Sequence, residues 1–232
     1  MVDAPTSTQF VFQRMLGNVQ SGVWETGAQI PSERSLIEEF GVSRIAIREA
    51  LSMLRGLGVV EISHGRRTRV KSVDAGTLSD LLPLMLIGGQ QTFDQVFEVR
   101  LALESQTATL AARRRTPEQL SRLDELLAQF RKAMSNGGDK AAQVVDLEFH
   151  LEIARASANP LFPTLLEALA GFVSFAQKES CRNDAVRGER AVLAHESIVD
   201  AIRDRDADRA RVEMESHLRY SMTRKIEAEN AE

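Results

Sequence analysis

Residues 29–70 constrain this chain more than any other stretch. They read QIPSERSLIEEFGVSRIAIREALSMLRGLGVVEISHGRRTRV. Two short helical patterns, Ser32 to Phe40 and Ser43 to Leu57, meet at Phe40-Gly41-Val42-Ser43. Gly41 gives the backbone freedom that a tight inter-helix turn needs, and Ser43 is a natural N-cap for the second helix. The spacing predicts a helix-turn-helix, with Ile45, Ile47, Leu51 and Leu54 packing inward. Arg44 and Arg48 then lie one turn apart at the start of the second helix. Guanidinium groups offered from a helix's first turns suit the major groove, where they can grip a guanine edge.

The residues that follow extend the pattern. Gly58 ends the helix, Val59-Val60-Glu61-Ile62 reads as a short strand and Thr68-Arg69-Val70 as its partner. The tip between them, His64-Gly65-Arg66-Arg67, forms a basic wing. Between Arg44 and Lys71 seven basic residues face two acidic ones, a local density that favours phosphate. The whole chain carries a formal charge of −4. That does not oppose duplex binding, because affinity follows the local patch.

An opening helix is expected over residues 8–21, with Phe10, Val11, Met15, Leu16 and Val19 on one face and Trp24 packed between it and the turn. The junction falls at Ser72-Val73-Asp74, dividing the chain into a first domain at 1–72 and a second at 73–232. Beyond it no strand pattern occurs. Helices are predicted near 75–87, 93–114, 117–135, 139–157, 161–178, 187–205 and 206–228, with Thr116-Pro117 as a start and Asn136-Gly137-Gly138 and Asn159-Pro160 as breaks. The fold class is mainly α: a winged helix-turn-helix of three helices and a two-stranded β-wing, followed by an all-α bundle. Arg113-Arg114-Arg115 reads as a solvated helix end. Cys181, the only cysteine, excludes an intrachain disulfide and reads as structural. With no signal peptide and no apolar run of transmembrane length, the expected location is the cytoplasm, with no membrane partner.

Three of the four histidines, His150, His195 and His217, fall in the second domain's helices. Asp146 precedes His150 by one helical turn, so both lie on one face. One Asp with three His is a nitrogen and oxygen donor set suited to zinc, with nickel or another transition metal as alternatives. Spacing alone is equally compatible with histidines satisfied inside a helical core. Arg100 and Glu104, one turn apart, read locally as a helix-surface ion pair.

Gly22-Val23-Trp24-Glu25-Thr26-Gly27, Ile30-Pro31-Ser32-Glu33-Arg34, Phe40-Gly41-Val42-Ser43-Arg44 and Arg48-Glu49-Ala50-Leu51 together resemble the winged-helix domain of the GntR family of bacterial regulators. The resemblance implies DNA contacts from Ser32, Arg34, Arg44, Arg48 and Gly65, beside the basic tip residues His64, Arg66 and Arg67. Many members carry a second wing glycine where this chain has Arg67, a form closer to FadR. D-L-E-F-H, H-E-S-I-V-D-A-I and M-E-S-H-L resemble the FCD ligand domain of the FadR subfamily. That resemblance implies a divalent metal on Asp146, His150, His195 and His217, and a small carboxylate effector paired with Arg100. FadR itself lacks these histidines, so a pocket for a small polar acid is expected instead of an acyl-CoA tunnel. The expected whole is a homodimeric transcriptional regulator, a repressor, binding a double-stranded operator of two-fold symmetry and not an enzyme. Two alternatives stay open: a repressor that senses the ion itself, and a metalloenzyme fused to a DNA-binding head. No H-E-x-x-H pattern supports the second.

Overall fold

A computed structural model of the chain describes residues 6–61, 67–71, 76–79, 93–135, 139–176 and 185–229. The chain divides into two compact units, Met1–Thr77 and Leu78–Glu232. Among the described residues no helix is long and apolar enough to cross a membrane.

The first unit opens with α1 (Ser7–Gln20), followed by α2 (Glu33–Phe40) and α3 (Arg44–Gly56). Thr6 starts α1 with a capping box that engages Gln9 in both directions. Ser32 caps α2 by accepting from the Ser35 amide, and Ser43 caps α3 by accepting from the Ala46 amide. Between them Gly41 sits at φ 65°, the left-handed conformation a β-carbon disfavours. These devices fix the turn. The core beneath it holds Val11, Met15, Trp24, Ile30, Leu36, Ile47, Leu51 and Leu54. Trp24 packs here, and its amide donates to the Asn18 carbonyl at the end of α1.

The wing strands are β1 (Val60–Glu61) and β2 (Arg69–Val70), antiparallel with Val60 opposite Val70 and Glu61 opposite Arg69. The segment before α2 runs along the other side of β2. The Ile30 amide donates to Thr68, the Val70 amide to Ala28 and the Gly27 amide to Val70, an edge the sequence pattern did not announce. Arg69 belongs to this scaffold, because its guanidinium donates to the Gly27 carbonyl at 2.8 Å. Ile62, His64, Gly65 and Arg66 lie outside the described residues, as do Cys181, residues 136–138 and most of the stretch 75–87.

Two expectations fail in this unit. Phe10 is 47% exposed, and Phe12 takes the buried place on α1. Ile45 does not pack inward but stands 69% exposed. Successive helical residues turn about 100°, so residues 45 and 47 lie about 200° apart and cannot share a face. The buried face of α3 is Ala46, Ile47, Ala50, Leu51 and Leu54.

The second unit contains α4 (Phe93–Arg114), α5 (Pro117–Ser135), α6 (Asp139–Ala156), α7 (Leu161–Ala176), α8 (Ala185–Arg203) and α9 (Ala207–Glu229). Its core joins Phe97, Leu123, Leu126, Phe149, Ile153, Ile198, Ile202, Met214 and Leu218. Ala108, Ala111 and Ala112 line the buried side of α4, and these small residues let neighbouring helices approach closely. Thr116 and Gln119 form a reciprocal capping box at the start of α5. Arg113 is exposed as expected of a solvated helix end, but Arg114 and Arg115 differ. Arg114 donates to the Ser157 carbonyl just past α6, and Arg115 donates to the Ile202 and Arg203 carbonyls at the end of α8. They satisfy orphan C-terminal carbonyls of two other helices.

Candidate metal centre and nucleic-acid interface

Helix α6 supplies Asp146 and His150, α8 supplies His195 and α9 supplies His217. One donor atom from each of the four lies within 4.8 Å of all the others. His150 Nε2 and His217 Nε2 are 3.3 Å apart, Asp146 Oδ1 lies 3.3 Å from His195 Nε2, and the same oxygen is 4.0 Å from His150 Nε2. Donors about 2.1 Å from a common ion sit about 3.0 Å apart at right angles and about 3.4 Å apart at a tetrahedral angle. The short separations fall in that range. The three histidines are buried, whereas the Asp146 side chain is 40% exposed, so the centre opens toward its carboxylate.

Hydrogen bonding does not satisfy this cluster. Both ring nitrogens of His195 are buried, and neither makes a well-formed hydrogen bond among the described residues. Buried unpartnered nitrogens are costly, and a cation at Nε2, the nitrogen that faces Asp146, would remove that part of the cost. Burial, reinforced by the neighbouring imidazoles His195 and His150, holds the His217 pKa well below its ordinary value. Burial likewise lowers that of His195, against the pull of Asp146. Both are therefore neutral, the form that ligates metal. What burial Asp146 has raises its pKa, but contacts to His195, His150 and His217 outweigh this and keep it ionised. His150 differs: burial lowers its pKa, but Glu104 and Asp146 outweigh this and raise it, so an ion there would displace a proton. With that displacement the donor set fits a divalent ion.

The packing around the donors fixes their directions. His195 is 0% exposed and stacks on Phe149 at 4.2 Å between ring centroids, with Phe130 at 4.7 Å. His150 is steered by Glu104, a residue the sequence reading had assigned only to Arg100. Glu104 is 1% exposed, and its Oε2 lies 2.5 Å from His150 Nδ1. Its Oε1 is held 2.7 Å from Arg100, whose side chain is 18% exposed. The Arg100–Glu104 pair is therefore buried structure and not a surface pair. Burial alone would raise the Glu104 pKa, but Arg100 and His150 lower it from 4.5 to about 2. A carboxylate on Nδ1 leaves Nε2 of His150 free to face the centre.

A cavity of about 70 Å³ lies between α8 and α9 and is lined by His217, Ser216, Glu213, Tyr220 and Arg190. The Arg190 guanidinium lies 3.9 Å over the Tyr220 ring. Sequence reasoning singled out neither residue, because neither belongs to a local motif.

In the first unit Arg44 and Arg48 are exposed on α3, and Arg67 is exposed in the wing. The Arg48 Nε lies 3.0 Å from Glu33 of α2, and Arg34 pairs with Glu38 along its own helix. The Ser32 hydroxyl is occupied as a cap and shares a 2.8 Å hydrogen bond with the Ser35 hydroxyl.

Residues 7–70 match the family described as "Bacterial regulatory proteins, gntR family", and residues 95–220 match the FCD domain. The HTH-type transcriptional regulator LutR of Bacillus subtilis is 31% identical over 206 residues, covering 86% of this chain and 92% of that protein. The HTH-type transcriptional repressor NanR of Cronobacter sakazakii is 35% identical over 201 residues, covering 83% of this chain and 75% of that protein. Among solved structures, Streptococcus agalactiae GntR superimposes with a TM-score of 0.67 at 27% identity, covering 92% of this chain and 98% of that one.

Proposed function

In a chain that belongs to the GntR family of bacterial regulatory proteins, of FadR type with an FCD domain, we propose that a small carboxylic acid held at a divalent metal centre controls operator affinity. The relatives are DNA-binding transcriptional regulators and not enzymes. The observation that carries the reading is the convergence of Asp146, His150, His195 and His217 from three helices onto one small volume. Zinc suits the set, and nickel or another transition metal would also be accepted. A bound ion would offer open coordination positions to carboxylate oxygens.

The protein's own residues do the rest. Asp146 and the cavity beside His217 give access, and the cavity's volume suits about two waters or one carboxylate group. Glu104 holds Arg100 in place through Nε and Nη2, and the remaining guanidinium N–H groups are offered to the acid's carboxylate. Arg190 is a second candidate for that role, because it lines the cavity that reaches His217 and Arg100 does not. In the head, Arg44 and Arg48 read base edges, while Ser32, Arg34, His64, Gly65, Arg66 and Arg67 position the unit on phosphate and in the minor groove. The protein acts as a homodimeric repressor on an operator of two-fold symmetry. Leu161 and Leu165, exposed one turn apart on α7, supply an apolar strip that a second copy would cover. Acid binding shifts the population of DNA-competent dimers.

The test is operator affinity of the full chain, metal-loaded and chelator-stripped, titrated with a panel of small hydroxy, dicarboxylic and sugar acids. An acid should change affinity only in the metal-loaded protein, and His217→Ala should lose both metal and response. If metal alone moves affinity and no acid adds to it, the ion is the signal. If His150→Ala and His217→Ala retain the wild type's metal content, the centre is wrongly assigned.

A further inference from the structure

We infer that Ile45 is a base-reading residue that packs on the C5-methyl group of a thymine in the operator's major groove. Single exposed apolar side chains are ordinary on protein surfaces. The position of Ile45 distinguishes it. It is the second residue of α3 after the Ser43 cap, and it is 69% exposed on the face opposite Ile47 and Leu51. The N-terminal turns of such a helix are the ones that reach base edges.

Its neighbours sharpen the assignment. Arg48, one turn on, is exposed on the same side and is held 3.0 Å from Glu33. Glu49, also one turn on, would repel phosphate, but it accepts a 2.7 Å hydrogen bond from the Thr8 hydroxyl of α1. The outward face of the first two turns therefore presents an apolar group beside a guanidinium. An isoleucine gains from burial only against an apolar partner. In the major groove the thymine methyl is the apolar group, and the other base-edge features there are hydrogen-bond donors and acceptors. Side chains three residues apart on a helix have β-carbons roughly 5–6 Å apart, against about 3.4 Å per base step. The thymine thus stands one or two steps from the base that Arg48 reads. The inference rests on duplex binding by the head and is independent of the metal-centred reading.

The full-length protein would first select duplexes from a random library. The winning duplex would then be made with deoxyuridine in place of each thymine in turn, which removes one methyl and leaves pairing intact. For the wild type, one thymine per half-site should lose about fourfold in affinity, the loss for one methyl removed from contact. Ile45→Ala should bind the unmodified duplex about fourfold more weakly, ignore that substitution, and keep the wild-type unfolding midpoint. Ile45→Thr, which retains one γ-methyl, should fall between. Indifference of the wild type to every methyl would overturn the inference while leaving operator binding intact. So would a methyl effect of equal size in Ile45→Ala, or a lowered midpoint marking Ile45 as a core residue.

Discussion

Replacing Glu104 with glutamine isolates the part of the proposed metal centre that no ligand motif contains. The side chain keeps its size but exchanges two acceptor oxygens for one acceptor and one donor. In the native arrangement both oxygens face a partner: Oε1 bonds Arg100 at 2.7 Å, and Oε2 makes a close ionic contact, 2.5 Å from His150 Nδ1. Glutamine serves one of these donors and presents N–H₂ to the other. If it keeps Arg100, His150 loses the acceptor that sets its tautomer. If it keeps His150, a weaker neutral acceptor remains, and Arg100 loses its counter-charge. Carboxylates behind metal-bound histidines contribute about 10–100-fold in affinity, or about 1.4–2.7 kcal/mol. The burial of Glu104 places the expected loss toward the upper end. The metal-free protein should also lose about 1–3 kcal/mol for the unsatisfied group. Competition against a chromophoric chelator measures the first quantity and denaturant unfolding of stripped protein the second. A Glu104→Gln protein that binds metal within twofold of wild type, while His150→Ala does not bind it, would refute the positioning argument.

Arg48→Ala should weaken operator binding by about 1–3 kcal/mol and relax sequence preference, whereas Arg67→Ala should weaken all duplexes alike and lower the salt slope by about one. Affinities for operator and random duplex at several salt concentrations separate the two. Gly58→Ala should destabilise the first unit by about 1–2 kcal/mol for a left-handed backbone alone, because Gly58 sits at φ 68°. Its new β-carbon would also lie 2.6 Å from Thr77 Oγ1. Calorimetry should show the fall in midpoint, with Gly58→Asn milder. Arg100→Lys should keep Glu104 neutralised and metal bound but lose part of the acid response. Arg100→Ala should lower metal content as well, because Glu104 then lacks its cation. Calorimetric titration with metal analysis decides, and an unchanged acid affinity in Arg100→Lys would move the role to Arg190.

The helices were legible because their apolar spacing follows the helical period, and the inter-helix turn because Gly41 and Ser43 each perform a local task. Asp146 and His150 share one turn and could be paired by geometry. His195 and His217 lie tens of residues further on, and only the resemblance joined them. Glu104 was visible as a partner of Arg100, but its contact to His150 crosses from α4 to α6, and no spacing rule encodes that distance. Arg114 and Arg115 were misread for the same reason, since the carbonyls they serve end other helices. Ile45 failed differently. An apolar residue near the inward set was assigned to it by composition, although the helical angle already forbade that.

The spread of the four donors along the chain also orders events during synthesis. The first unit is complete by Thr77 and has its own core, so it can fold while the ribosome is still making the rest. The proposed metal centre cannot close until His217 has emerged. A truncated or stalled chain would therefore carry a folded head without the complete donor set of the proposed centre. On the proposed reading, breaks near Asp146 or His195 would spare the head's core but remove part of the donor set, whereas breaks before Val70 would remove part of the head's own core.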